Sequence, residues 1–269
     1  MSNILVLIDS CEADATDTIN EVLTQGRNLA NQVNGSLEAI TFDPRHKELA
    51  GAWAEHGVNV IHYLTNSALQ DYGPQAWAQG IVQIISLVEP ISVISRGSDR
   101  GHEVMANVAA ILDAPFVANC LSVTAGERWQ ASRLQWGGSL IEEVTVGSTF
   151  PVLSFAQHSC EATLSKISEP LETISHEIEL ASESTKTIVV ERTEKPEGQS
   201  LETSAVVVAG GRGVGSADGF NVLETLAELL NGKVGCSRAV TNNGWRSHTD
   251  QLGQTGKRCI LYTSDAADE

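Results

Sequence analysis

Apolar residues in the first 112 positions follow two alternating patterns, short unbroken runs and longer stretches with helical spacing. The first run, Ile4–Ile8, ends at Asp9 and is typical of a strand buried on both faces of a parallel sheet. The helix that follows begins near Thr16 and is stopped by Asn34-Gly35. Further predicted strands cover residues 37–42, 58–64 and 91–95, and further helices cover 47–56, 74–88 and 103–112. This alternation predicts right-handed crossovers and a doubly wound sheet.

The helical spacing disappears after Pro115. Four extended runs follow at 116–123, 129–136, 140–146 and 152–155, with no helical segment between them. These runs predict antiparallel strands, with Gly137-Gly138 as a hairpin turn. The first domain is therefore expected to cover residues 1–160.

The composition becomes polar and acidic between residues 161 and 204. The pattern allows one strand at 187–191, and residues 193–204 have the composition of a linker. This segment is predicted to connect two domains.

A buried-strand pattern at 205–209 leads directly into a glycine-rich loop, Gly210-Gly211-Arg212-Gly213, and a predicted helix at 218–230 follows. A strand, a glycine turn and a helix start together aim backbone N–H groups at a phosphate. The loop matches neither the usual dinucleotide fingerprint nor a P-loop, and a purely steric glycine turn explains the pattern equally well. Arg212 favours an anion site, because a cation has few structural reasons to lie in such a turn.

Two further clusters follow at short intervals, Gly235-Cys236-Ser237-Arg238-Ala239 and Gln251-Leu252-Gly253-Gln254-Thr255-Gly256-Lys257. Both place small residues, hydroxyls and cations at predicted strand ends. Small residues let a planar ligand approach the backbone, and a guanidinium offers a flat cationic face. Each cluster alone is a weak indication of a site, and the three in this order are a much stronger one.

The three clusters resemble the FAD-binding domain of electron-transfer flavoprotein alpha subunits, in both order and separation. The resemblance rests on residues 206–213, 235–240 and 251–257, and extends more loosely over the first strand and residues 101–113. It implies an α/β chain with an N-terminal Rossmann-like doubly wound sheet and a second, FAD-binding α/β domain at 205–257. It also implies a non-catalytic carrier that passes electrons from flavin dehydrogenases, such as acyl-CoA dehydrogenases, to a membrane quinone reductase.

The same resemblance assigns roles to individual residues around FAD. Arg212 and Ser237 are expected to meet the phosphates, and Arg238 is expected to lie against the isoalloxazine ring, where its charge favours the anionic reduced ring. The residues expected around the ring edge are Gln254, Thr255 and Gly256, and Gly253 is expected to bind the cofactor as well. A beta subunit is expected as the heterodimer partner, and no catalytic residue or metal ligand is expected.

The chain departs from the family pattern after Lys257. The family continues with G-I-S-G-A-I-Q-H and I-N-x-D segments, and neither follows here. Residues 261–269 resemble the translation of a sequencing-library adapter, and a frayed acidic tail is the alternative interpretation. We therefore expect a C-terminally truncated chain with a partial FAD-binding domain and a non-native tail at 258–269.

The charge balance limits the possible partners. The chain has 17 basic and 34 acidic residues, a formal net charge of −17, so neither nucleic acid nor an anionic membrane surface is an expected partner. Five widely separated cysteines fit a reducing compartment. No apolar run approaches the ~18 residues of a membrane span, and the N-terminus lacks the basic region of a signal peptide. We expect a bacterial cytoplasmic protein without membrane insertion.

Two other functions stay open from the residues alone, an adenine-nucleotide-binding module and an FAD- or NAD-dependent oxidoreductase. Residues 96–101 follow a predicted strand and precede a helix, which suits an anion site, whereas the resemblance implies a loop that stabilises the domain or faces a partner. His46, His56 and His62 lie close together in sequence, and surface or cap positions are expected for them rather than a metal site.

Overall fold

The structure of the chain is a computed structural model that describes residues 2–69, 71–165, 170–191, 201, 204 and 206–253. The chain divides into two compact units, Met1–Arg192 and Thr193–Glu269. No helix among the described residues has the length and apolar character needed to cross a bilayer.

The first unit is built on a nine-stranded sheet with the order β7-β6-β5-β8-β4-β1-β2-β3-β9. Its strands are β1 (Ile4–Ile8), β2 (Leu37–Thr41), β3 (Val58–Thr65), β4 (Ser92–Arg96), β5 (Phe116–Thr124), β6 (Trp129–Gln135), β7 (Leu140–Val146), β8 (Val152–Phe155) and β9 (Glu172–Glu177). Its helices are α1 (Thr16–Gln32), α2 (His46–Glu55), α3 (Pro74–Val88) and α4 (Asp99–Leu112). Strand β5 and the six strands from β8 to β9 in this order pair in parallel, and β6 and β7 form an antiparallel hairpin at one edge.

The sheet is covered by helices on both faces. Alternate residues of β1 belong to two different apolar clusters: Ile4 and Val6 pack with α1 and α2, and Leu5 and Leu7 pack with α3 and α4. All five residues of β1 are buried, as expected for a central strand of a parallel sheet. The predicted α/β fold with a Rossmann-like doubly wound sheet is confirmed.

The direction of β8 differs from the prediction. Val152–Phe155 lies between β4 and β5 and pairs in parallel with both, whereas the sequence pattern predicted an antiparallel strand. All four residues are buried, because the strand returns to the interior of the sheet after the β6–β7 hairpin. A short run of buried residues does not encode its direction.

The segment predicted as a connection contributes a strand to this sheet. Strand β9 pairs with β3 from Val60 opposite Glu172 to Thr65 opposite Glu177. The predicted strand at 187–191 is wrong, because these residues have no strand pairing. Residues 161–204 are therefore not a linker throughout.

The second unit contains a smaller parallel pair, β10 (Val207–Gly210) with β11 (Lys233–Cys236). Helix α5 (Phe220–Leu229) connects them, and α6 (Arg238–Asn242) follows β11. Phe220, Cys236 and Val240 form its buried apolar cluster. The glycine-rich loop thus joins a strand to a helix, as predicted.

Candidate functional site

Three segments of the second unit end at one edge of its small sheet. Gly210 ends β10 and lies opposite Cys236, which ends β11. The backbone N–H of Ser237 donates to the Gly210 carbonyl oxygen at 3.1 Å. A third segment joins at Gln251, which forms a parallel bridge with Cys236. Because ligands of open α/β sheets bind beyond the carboxyl ends of parallel strands, this edge is the candidate site.

Two glycines shape this edge for different reasons. A Cβ on Gly210 would lie 2.6 Å from Phe220 Cε1 and 2.7 Å from Leu223 Cδ1, so α5 can pack closely only where residue 210 has no side chain. Gly253 has φ +96°, a left-handed conformation that favours glycine, and its Cβ position has no heavy atom of the described residues within 4 Å. The first glycine brings a helix close to the strand end, and the second turns the chain directly after the third segment.

Two guanidinium groups lie at this edge. Arg212 begins a short 3₁₀ turn, Arg212–Val214, and Arg238 begins α6. Both side chains are exposed, and neither has a carboxylate partner among the residues that the structure describes. The Ser237 side chain is exposed too and makes no capping hydrogen bond to α6. These donors are therefore available to an anionic ligand.

The remaining predicted site residues, Gln254, Thr255 and Gly256, lie outside the described residues. Cys236 is buried at the strand end, and burial raises the pKa of its thiol. It is therefore a neutral packing residue at this edge rather than a nucleophile.

Arg246 connects α5 of the second unit to the chain before Gln251. The sequence patterns did not indicate this role. Its guanidinium pairs with Glu224 of α5 at 2.5 Å and with Asp250 at 2.9 Å, and it lies 5.4 Å above the Phe220 ring. Burial lowers the pKa of Arg246, but the hydrogen bonds to both carboxylates outweigh burial and raise it. The permanent charge fixes α5 to the chain just before Gln251.

In the first unit, the residues at the carboxyl ends of β1 and β4 surround a buried aspartate side chain. Asp9 is buried and accepts from Arg96 Nε at 2.6 Å and from the Ser98 hydroxyl. Arg96 also donates to Thr18, and Ser98 caps α4 by accepting from the Gly101 N–H at 2.9 Å. Because Asp9 already supplies the negative charge at the start of α4, the loop at 96–101 stabilises the domain and is poorly suited to a phosphate.

Surface or cap positions were expected for the three histidines; His56 lies at a cap as expected, whereas His46 and His62 are buried and not at the surface. His46 is 1% and His62 3% exposed, and His56 is buried at the C-terminal cap of α2. His62 contacts Glu38 at 2.8 Å and His176 at 3.0 Å. No group of three or more His, Cys, Asp or Glu side chains in the described part of the chain could hold a metal ion.

Comparison with known families matches both units. Residues 4–195 match the electron transfer flavoprotein domain, and residues 200–260 match the electron transfer flavoprotein FAD-binding domain. The chain belongs to the electron transfer flavoprotein family. The resemblance to its alpha subunits is confirmed, and so is FAD as the cofactor of the second unit's domain.

The relatives are bacterial and distant in sequence. The chain is 26% identical over 245 residues to Protein FixB of Bradyrhizobium diazoefficiens, across 88% of this chain and 66% of that protein. It is 24% identical to electron transfer flavoprotein subunit alpha of Thermoanaerobacterium thermosaccharolyticum, across 88% and 73% of the two chains. It is 27% identical to the corresponding subunit of Megasphaera elsdenii, across 94% and 77%. The chain thus spans about two thirds to three quarters of the length of these relatives.

Proposed function

We propose that the chain is the electron-carrying alpha subunit of a bacterial electron transfer flavoprotein and binds FAD at the carboxyl edge of its second unit. In this proposal it pairs with a beta subunit in the cytoplasm. It receives electrons from flavin dehydrogenases, such as acyl-CoA dehydrogenases, and delivers them to a membrane quinone reductase. The observation that carries the proposal is that Arg212, Ser237 and Arg238 follow the paired ends of β10 and β11, at one edge of a domain that matches the FAD-binding family.

The residues present at this edge fit the charge of FAD. A diphosphate needs cationic and hydroxyl donors, and the exposed guanidinium of Arg212, which has no carboxylate partner among the described residues, and the Ser237 hydroxyl supply them. No heavy atom of the described part of the chain lies within 4 Å of the Cβ positions of Gly211 and Gly253, which suits a ligand close to the backbone. In this arrangement Arg212 and Ser237 hold the phosphates, and Gly253 lies at the ring edge.

Arg238 is placed in the proposal beside the isoalloxazine ring. When bound, FAD supplies the electron-accepting chemistry, and the protein tunes how easily the ring takes electrons. A positive charge beside the ring would favour added negative charge on it, because opposite charges attract strongly where water is partly excluded. Arg238 therefore raises the reduction potential of the bound flavin.

The contacts within the first unit, in contrast, support a structural role for this unit rather than nucleotide binding. Its most nucleotide-like feature is the loop before α4, where the Arg96 guanidinium and the Ser98 hydroxyl already donate to the buried carboxylate of Asp9. Because these donors are engaged within the protein, the loop argues against the adenine-nucleotide module as the main function.

The acidic charge of the chain supports docking to other proteins. A net charge of −17 steers an acidic carrier toward basic surfaces and accelerates encounter, an effect that salt weakens. Transient docking of this kind suits a carrier that meets dehydrogenases and a quinone reductase in turn.

Arginine variants test the proposed function. In the protein coexpressed with a beta subunit, Arg212→Gln should weaken FAD retention about tenfold or more, because a charge-assisted contact to phosphate is lost. Arg238→Gln should retain FAD and lower its reduction potential. Arg128→Gln removes an exposed guanidinium from the first unit and serves as the control. Flavin absorption and potentiometric titration give the two readouts.

The alternatives have distinct outcomes in the same preparation. AMP or ATP retained without flavin would favour the adenine-nucleotide module. Turnover of a small substrate without an external electron donor would favour an oxidoreductase. An unchanged potential in Arg238→Gln would remove that residue from the flavin site.

A further inference from the structure

A buried polar contact connects α6 to the third segment of the candidate site. The Thr241 hydroxyl donates to Gln251 Oε1 at 2.7 Å, and both residues are about 5% exposed or less. The same hydroxyl oxygen lies 3.0 Å from the Arg238 carbonyl oxygen. Thr241 thus contacts both the backbone of a proposed flavin-binding residue and the side chain that begins the third segment.

Gln251 is itself fixed to the end of β11. Its backbone forms the parallel bridge with Cys236, and the N–H of the next residue, Leu252, donates to the Cys236 carbonyl oxygen at 2.9 Å. Gly253 follows directly and turns the chain. The Thr241–Gln251 contact therefore closes a loop that leaves β11 at Cys236 and returns beside it.

Helix α6 depends on such a contact for its position. It has only five residues, and a helix of this length is not stable by its own backbone hydrogen bonds. The Thr241 N–H reaches the Ser237 carbonyl oxygen at a long 3.4 Å. Packing of the fully buried Val240 holds α6 against the unit, but apolar packing has little directional preference. A hydrogen bond between two buried side chains is directional and therefore restricts the orientation of α6.

We propose that Thr241 and Gln251 form a positioning pair that orients Arg238 toward the flavin and thereby sets the flavin potential. The inference rests on the proposed function, because it assigns a consequence for bound FAD. Arg212 lies on a different loop, and Thr241 contacts the Arg238 carbonyl oxygen rather than the Ser237 hydroxyl, so we expect the pair to affect the ring more than FAD retention.

Three threonine variants separate positioning from general stability. Thr241→Val removes the hydroxyl at nearly constant volume, and Thr241→Ser keeps it. Thr225→Val is the matched control, because Thr225 lies on the exposed side of α5 and its hydroxyl bonds, among the described residues, to the Asn221 carbonyl oxygen of the same helix. In FAD-loaded protein, Thr241→Val should retain FAD and lower its potential, while Thr241→Ser and Thr225→Val should match the wild type.

Hydrogen exchange provides a readout that does not need flavin. Loss of the buried hydrogen bond should accelerate exchange of the Leu252 N–H about fivefold in Thr241→Val, while the amides of β10 keep their protection. If wild-type protein takes up no FAD, the proposed function fails, and this exchange comparison still tests the contact. A wild-type potential in Thr241→Val, or a Thr241→Ser variant that fails to restore it, would overturn the positioning role.

Discussion

At the scale of single residues, the first unit depends on the buried carboxylate of Asp9 and the groups that neutralise it. Arg96 donates to this carboxylate at 2.6 Å and to the Thr18 hydroxyl at 2.9 Å. The Ser98 hydroxyl provides a second donor. One cluster therefore joins the ends of β1 and β4 to α1 and α4.

Replacement of Arg96 by Met should destabilise the first unit by about 3–5 kcal/mol, because it leaves Asp9 buried and unpaired. Arg133→Met is the control, since Arg133 pairs with Glu142, a half-exposed partner, and should cost no more than about 1 kcal/mol. Urea unfolding followed by circular dichroism measures both. Equal losses in the two variants would contradict the importance of the buried pair.

The close approach of α5 to β10 gives a second prediction at this scale. Gly210→Ala should destabilise the second unit by about 1–3 kcal/mol, because the added methyl group meets Phe220 and Leu223 at less than 3 Å. Gly211→Ala is the control, because its added Cβ has no heavy atom within 4 Å. Thermal unfolding of both variants measures the difference, and a neutral Gly210→Ala would show that α5 can move away without cost.

At the scale of secondary structure elements, strong apolar patterns predicted the bounds of elements accurately. They did not predict which elements lie beside each other in the sheet. Helix α3 and strands β7 and β8 have the predicted bounds. Helix α4 begins at Asp99, four residues before its predicted start, because Ser98 caps it. The parallel pairing of β8 was not predictable from its own residues, since it depends on where the preceding hairpin leaves the chain.

Strand β9 was missed because its pattern is weak. Its sequence has one aliphatic residue, Ile174, and four of its six residues are exposed. Pairing with β3 and the contact between His176 and His62 hold it in the sheet instead. These contacts join two strands that are far apart in the sequence, so local sequence patterns do not predict them.

The histidine contact predicts acid sensitivity of β9. Burial and the neighbouring His62 lower the pKa of His176, so the folded state opposes its protonation. The unfolded chain, with an ordinary histidine pKa of about 6.5, then binds more protons, and stability is lost as the pH falls below that value. His176→Gln should lose less stability than the wild type between pH 7.5 and 5.5, as measured by urea unfolding at both values.

A neighbouring position on the same strand supplies the control for this comparison. Ser175→Gln changes an exposed residue of β9 and leaves His176 in place, so it should keep the wild-type dependence on pH. Parallel pH profiles for the wild type and His176→Gln would exclude His176 as a source of the acid sensitivity.

At the scale of the whole molecule, the sequence located the candidate site through its three clusters but could not supply its supports. Arg212, Ser237 and Arg238 lie at the predicted strand ends because glycines and cations at such positions are local signals. Arg246 and Thr241 act through partners 10 to 22 residues away, Gln251 and Glu224. Their roles depend on how the chain returns to the strand end, which the sequence pattern does not express.

The contacts made by residues 161–181 bear on where the first unit ends. The Thr163 carbonyl oxygen accepts from Arg27 at 2.9 Å, and Ile178 is 3% exposed within the apolar cluster under α3. The Ile178 carbonyl oxygen also accepts from Asn66 at 2.7 Å. Thr163 and Ile178 therefore both make contacts within the first unit.

A comparison of fragments tests this boundary. A fragment of residues 1–192 should unfold in one cooperative transition, and a fragment of residues 1–160 should be less stable by at least about 3 kcal/mol, because it lacks the burial of Ile178 and the hydrogen bonds of β9. A fragment of residues 1–181 is the control: it keeps β9 and Ile178 and omits mostly exposed residues, so its stability should lie close to that of 1–192. Urea midpoints and m-values measure all three. If 1–160 matched 1–192, β9 would contribute no net stability, and the boundary at residue 160 would describe the independently folding unit.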